Sequence, residues 1–421
     1  MPNLYPSDKT GGLDVYYVGM VWARALWDIR QILGRALTDS TLLSVYPALI
    51  GWAIDFETAA ENLIDSFRRN PTVSAAQVRQ VLEVFSNRNV ISGRSVQAVA
   101  QTVDAAGAVT CYAGTPKELL RSGDGGVSWQ SVALPAPAQV GRGGVALAAL
   151  GPDLYAATGE RVYHFGGAAW TLLDNGWPAQ QFPLCLRSVD GALWAGSTSG
   201  ILEFVPNGAP SVGVWQDRSG GVAFSVIAAA GFVTPAPLPA GGNHPGMALI
   251  GLDRSESLGY FSLRAQPAWN LLRVISQNQT NGWMLCLETA GNLLYAGTLA
   301  HGLWRQPFTH NGAALRRGQW EKVVEAQIDA GLSVLALAFH RETLFVGTTT
   351  GLFGLQWDAQ NPATAPVWQE IPLDSGNGPT AAPLIRSVRA TDSHLLVGTG
   401  QHGVWVRARN GGNWRNQTID F

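Results

Sequence analysis

Apolar residues along this chain keep two different periods. Up to Val90 they recur every three or four positions. Val15, Val18, Trp22, Ala25 or Leu26, Ile29 and Leu33 trace one continuous stripe on an α-helix. After an interruption at Pro47, Asp55 can cap a second helix carrying Ala59, Ala60, Leu63, Ile64 and Phe67. A third signal opens with Ser74 and Gln77 at capping-box spacing and buries Val78, Val81, Leu82 and Phe85. The pattern predicts three or four helices ending near Val90.

From Ser95 onward the period changes to two, and one short motif returns: CYAGT, LYAAT, LWAGS, ALIGL, LYAGT, LFVGT, LLVGT. Its key positions, Gly114, Ala157, Gly196, Gly251, Gly297, Gly347 and Gly398, are separated by 43, 39, 55, 46, 50 and 51 residues. Each copy follows an alternating strand and precedes a third, and a Trp marks the fourth: Trp129, Trp170, Trp215, Trp269, Trp320, Trp368 and Trp414. A four-stranded unit cannot bury both faces alone, so units repeating at this period are expected to stack around an axis as propeller blades. The Gly then permits crowding near the axis, and the Trp fills the wider space further out. The expected fold is multidomain α plus all-β: a small helical domain over residues 1–92 followed by a seven-bladed β-propeller over 93–421. Blade 4 has the most degraded motif. No strand is left over for exchange between the first and last blades, so closure is expected to rest on packing.

Charge narrows the partners. Charged residues make up 14% of the chain and the net charge is −2, with Lys and Arg scattered, which gives no footprint for nucleic acid. The most apolar windows fall well short of the roughly 20 residues needed to cross a bilayer, so no membrane insertion is expected. The polar start lacks a signal-peptide pattern and reads as cytoplasmic or as a processed secreted fragment. Cys111, Cys185 and Cys286 have no metal-ligand spacing and lie in apolar strand patterns, as buried small hydrophobes do. No metal site and no cofactor are expected.

The helical segments carry a resemblance. The order DVYYVGMVWARALWDIRQILG, then VYPALIGWAIDFETAAENLIDS, then VRQVLEVFSNRNV resembles the C-terminal end of the fungalysin-type zinc metallopeptidases, related to the thermolysin group. Val15, Gly19, Val21, Trp22, Ala23 and Leu26 carry the match to a V-H-x-x-G-x-V-W-A helix, in a degenerate motif spanning Asp14, Val15, Tyr16, Gly19 and Trp22. The family holds its zinc with an HExxH helix and a downstream Glu; the Glu of HExxH activates water and the metal polarises the scissile carbonyl. No HExxH occurs in this sequence, and Tyr16 stands where the family's motif His would help stabilise the oxyanion. The resemblance therefore implies a peptidase-derived lobe without catalysis on this chain alone. The alternative is one subunit of a split zinc peptidase, its HExxH half separately encoded.

Within the first repeat, Ser122, Asp124, Gly126 and Trp129 match the Asp-box pattern S-x-D-x-G-x-x-W of BNR-type propellers. The pattern suits a tight turn and is structural wherever it occurs. A sialidase site would require an arginine cluster, a Tyr nucleophile with a supporting Glu, and an Asp on central strands. Arginines fall at inner-strand positions only at Arg187 and the pair Arg386 and Arg389. If the propeller binds a ligand, loops are expected to do it. Lys117, Arg161, His301 and His402 fall in loops sharing one face, and Trp177 and Trp283 follow Asn-Gly in interblade loops, where packing against a neighbouring blade is preferred to contact with a ligand. His301 and His402 occupy equivalent positions that also suit turn capping. These residues are the candidate contacts of a non-catalytic binding or scaffold protein recognising a protein or glycan.

Overall fold

The computed structural model describes residues 15–49, 59–60, 63–64, 66–67, 70, 72–88, 90 and 95–417, apart from segments 116–117, 133–145, 159–160, 180, 190, 220–227, 234–246, 253–257, 264–265, 274–283, 299–300, 311–314, 324–331, 357–366, 375–382, 401 and 410. Three helices come first: α1 (Val15–Leu33), α2 (Arg35–Leu49) and α3 (Ala75–Asn87). Gly34 separates α1 from α2 with φ +84°, the left-handed conformation that glycine adopts without steric cost at a helix end. The capping box forms at the start of α3: Gln77 N–H donates to Ser74 Oγ at 3.3 Å, and Ser74 N–H donates to Gln77 Oε1 at 3.0 Å. The apolar stripes meet in one core of Ala25, Ile29, Leu63, Ile64, Phe67, Val78, Val81 and Phe85. Trp22 belongs to this core. Its ring lies 5.4 Å from that of Phe85, so it packs the helices together rather than standing free for a partner. The capping role of Asp55 lies outside the described residues.

The strands form seven sheets, each built from consecutive strands: residues 98–132, 146–172, 183–217, 228–273, 284–323, 334–370 and 385–417. Every pairing is antiparallel, and blade 4, whose motif is weakest, still has four strands. Blade 5 splits its outer edge, because Leu303–His310 pairs with Leu315–Arg317 at one end and Glu321–Val323 at the other. The first strand of each blade contacts the first strand of the next, and that of blade 7 contacts that of blade 1. The result is a closed β-propeller.

The repeated motif has a physical reading. A Cβ on Gly297 would lie 2.6 Å from Val334 Cγ1, and one on Gly347 2.6 Å from Ile385 Cγ2, each in the next blade. Glycine is required because the neighbouring inner strand leaves no room. The hydroxyl that follows caps the turn into the third strand: Thr298, Thr348 and Thr399 donate to the carbonyls of Gly302, Gly351 and Gly403 at 2.6, 2.8 and 2.8 Å. Trp215, Trp368 and Trp414 are buried. The ring closes without strand exchange. Val96, just before the first strand, donates to Thr399 O at 2.9 Å and accepts from Ser387 Oγ at 3.3 Å. Beside it, Val99, Cys111 and Leu120 of blade 1 pack on Leu396, Val404 and Val406 of blade 7.

Candidate functional site on the propeller axis

Register on the motif glycine lines up the innermost strands. Opposite the key motif position stand Ala98, Ala146, Cys185, Ala229, Cys286, Ala336 and Ser387. Two residues further on, the same strands carry Ala100, Ala148, Arg187, Gly231, Glu288, Ala338 and Arg389. Six of the first seven side chains are Ala or Cys, as crowding near an axis demands. The second set departs from small residues only in blades 3, 5 and 7, and there it places two guanidinium groups and one carboxylate.

Arg187 and Glu288 meet across the intervening blade. Arg187 Nη2 donates to both carboxylate oxygens, at 2.5 and 2.6 Å, and Glu288 Oε1 also accepts from Thr289 N–H at 3.0 Å. Blade 4, standing between them, contributes Gly231 at the equivalent position. Glu288 keeps 7% of its side chain exposed, whereas Arg187 keeps 26%, so the carboxylate is covered and the guanidinium still reaches solvent. The Glu288 charge pushes the Arg187 pKa up and holds it cationic. Arg389 experiences the opposite balance. Burial lowers its pKa, the Arg187 charge lowers it further, and Glu288 offsets this only in part. Among the described residues no hydrogen bond or carboxylate neutralises Arg389.

Neighbouring thiols take no part in this chemistry. Burial pushes Cys185 up to about 12, and Cys286 higher still, so both stay as unreactive thiols near neutral pH. Cys111, at about 11, behaves alike. Among the described residues no three His, Cys, Asp or Glu side chains come together as metal ligands.

The rim is largely occupied with its own architecture. Asp124 Oδ1 accepts from Ser122 Oγ at 2.8 Å and from the N–H groups of Val127 and Ser128 at 3.0 Å each, while Ser122 Oγ accepts from Gly126 N–H at 2.9 Å. These bonds, led by those from Ser128, hold the Asp124 carboxyl well below the usual range. Trp129 packs partly buried beside the blade 1–blade 7 core. His301 and His402 present backbone carbonyls to the indole N–H groups of Trp304 and Trp405, at 3.2 and 3.1 Å. Burial lowers both imidazole pKa values, more than any other influence on them. Arg161 opens the third strand of blade 2, paired in register with Thr158.

Trp177 takes the packing role rather than that of a ligand contact. It is 8% exposed, donates its indole N–H to Gln181 O at 3.0 Å, and stands edge-on to Trp215 with ring centroids 5.0 Å apart. Its ring joins blade 2 to blade 3 and offers no free face to a ligand. Lys117, Trp283, Asp14 and the side chains of Val15 and Tyr16 lie outside the described residues, so the peptidase-like motif is seen only as the backbone of α1 and the packed ring of Trp22. Glu288 was missed by sequence reasoning. Yet Arg187, Glu288 and Arg389 each stand nine residues before the motif glycine, a spacing visible in the sequence.

No family model matches the chain, and no curated protein matches it. Solved propellers do. A structure described as YCF48 bound to D1 peptide is 12% identical over 75% of this chain and 92% of its own, with a TM-score of 0.52. YCF48 from Cyanidioschyzon merolae is 13% identical over 76% of this chain and 96% of its own, at 0.52. U3-55K is 10% identical over 77% and 92%, at 0.50. Similarity at these identities establishes the fold. The chain is mostly β-propeller with few helices, a class that serves unrelated functions.

Proposed function

We propose that the protein is a non-catalytic binding scaffold whose propeller recognises a protein or peptide, with the helices as a peptidase-derived lobe that has lost its zinc half. The axial charge set carries this reading. An otherwise small-residue axis holds two guanidinium groups against one carboxylate, and the more exposed partner of the ion pair is the cation. Polar groups converging in a concave, partly apolar setting are the general mark of a recognition site. A propeller of similar fold has been solved with a peptide, which favours a peptide over a glycan here. The purified chain is expected to release no product from casein or a sialyl substrate, with or without zinc, and to give hits on a peptide array rather than a glycan array. Chelator-sensitive cleavage of casein would sink the proposal.

A second reading rests on the helices. Met20 and Trp27 lie seven residues apart on α1, hence on one face, and Trp27 is 53% exposed. Such a face suits a separately encoded HExxH-bearing chain. A folded Trp27→Ala protein that still co-purifies with such a chain as well as the parent does would end this reading.

A further inference from the structure

We propose that the propeller axis is a carboxylate-binding site, in which the guanidinium groups of Arg389 and Arg187 together hold one carboxylate group of a ligand. The assignment rests on the binding-scaffold reading only for what the carboxylate is attached to, not for the site itself.

Three observations converge on it. The first is stoichiometry. Guanidinium groups stay charged in proteins, so the axial set carries two positive charges and one negative, and a single further anion brings it to neutrality. The second is donor supply. Glu288 occupies Nη2 of Arg187 alone, so the N–H donors of Nη1 and Nε, on separate sides of that planar fork, are left for a further oxygen. The third is placement. Arg389 is half-buried, sits at the same register position as Arg187 and Glu288, and has no counter-charge of its own among the described residues. A cation withdrawn from water without a partner is costly to the fold. Retaining one beside a second cation makes physical sense where an anion is to be received.

The geometry favours a carboxylate over a bulkier oxyanion. Arg187 already holds one carboxylate, that of Glu288, through Nη2, and its Nη1 and Nε donors remain for the oxygen of another. One charge is needed, and a carboxylate brings one.

The test uses the whole chain with sodium butyrate as probe, butyramide as the uncharged isostere, and sodium chloride at matched ionic strength. Two further arms use a six-residue peptide with a free C-terminal carboxylate and the same peptide as its amide. Butyrate is expected to raise the melting temperature and to give a calorimetric binding isotherm, while butyramide and chloride give neither. Binding of the free-acid peptide but not the amide assigns the carboxylate to a peptide terminus; butyrate binding with the peptide excluded assigns it to a small acid. Arg389→Met is expected to weaken butyrate binding by roughly tenfold or more. The unliganded variant should melt at or above the parent's temperature, since it loses a half-buried, unneutralised cation. Equal responses to butyrate and chloride, or an Arg389→Met protein that binds butyrate as the parent does, would overturn the assignment. Neither result would bear on whether the chain is an enzyme, which the casein and sialyl assays decide.

Discussion

Replacing Gly398 by Ala tests the packing logic of the ring at the place where it closes. The φ of Gly398 lies outside the left-handed region, so its backbone accepts an alanine; the obstacle is space. An added Cβ would stand 2.3 Å from Ser387 Oγ, 2.6 Å from Val96 Cγ1 and 2.7 Å from Val96 O. The serine hydroxyl can rotate away. The Val96 carbonyl cannot, because the same residue donates its N–H to Thr399 O at 2.9 Å and a retreat stretches that bond. Overpacking of a filled interior costs about 1–3 kcal/mol. Against this, an alanine restricts the unfolded chain and returns about 0.4–1 kcal/mol. The expected net loss is therefore about 1–2 kcal/mol, read as a lower urea midpoint at unchanged m-value by tryptophan fluorescence. Gly123→Ala is the control, since nothing lies within 4 Å of its added Cβ, and it should be neutral or slightly stabilising. A Gly398→Ala protein as stable as the parent would refute the claim that the motif glycine exists to admit the neighbouring strand.

Two further outcomes follow from buried groups. Arg187→Met strands the buried Glu288 carboxylate and should cost about 3 kcal/mol, whereas Arg187→Met with Glu288→Leu should recover most of that; a single variant within about 1 kcal/mol of the parent would show that water already serves the carboxylate. Burial lowers the folded-state pKa of His402, so the unfolded chain binds the proton more readily and stability is lost as pH falls below the unfolded value of about 6.5. His402→Gln should flatten the stability–pH curve between about pH 7 and 5, and parallel curves for parent and variant would contradict this.

The helices and the strand repeat were legible because each obeys one dominant constraint. Ser74 and Gln77 announce a helix start by bonding each other's backbone, a local device that needs no tertiary context. Gly297, Gly347 and Thr298 recur because every junction imposes the same clash and every turn needs the same cap. Trp177 kept two readings in the sequence because Asn-Gly announces a turn without saying where the turn lies. Gly176 takes φ +75°, and its Cβ would fall 2.5 Å from Trp215 O, so the turn is pressed onto the outer strand of blade 3. Asn175 secures it there by accepting from Trp215 N–H at 2.9 Å. Trp22 answers both to the α1 stripe and to the peptidase-like motif, and only packing shows that its ring fills the helical core. Glu288 escaped because a search for recurring arginines overlooks an acidic residue at the same register. Charge pairing between blades 3 and 5 is a property of the closed ring, and no single repeat encodes it.

The seam at Val96 sets this ring apart from one buckled by a shared strand. Six junctions between blades are backed by an unbroken polypeptide, so a blade that loosens there stays tethered to its neighbour. The seventh has no covalent tether and relies on a few hydrogen bonds and a small apolar contact between the two ends of the array. It is the natural point of rupture under force or heat. It is also where modular growth would act, since each blade is one contiguous stretch of chain and inserting another would alter only the angle through which the two ends must bend to meet.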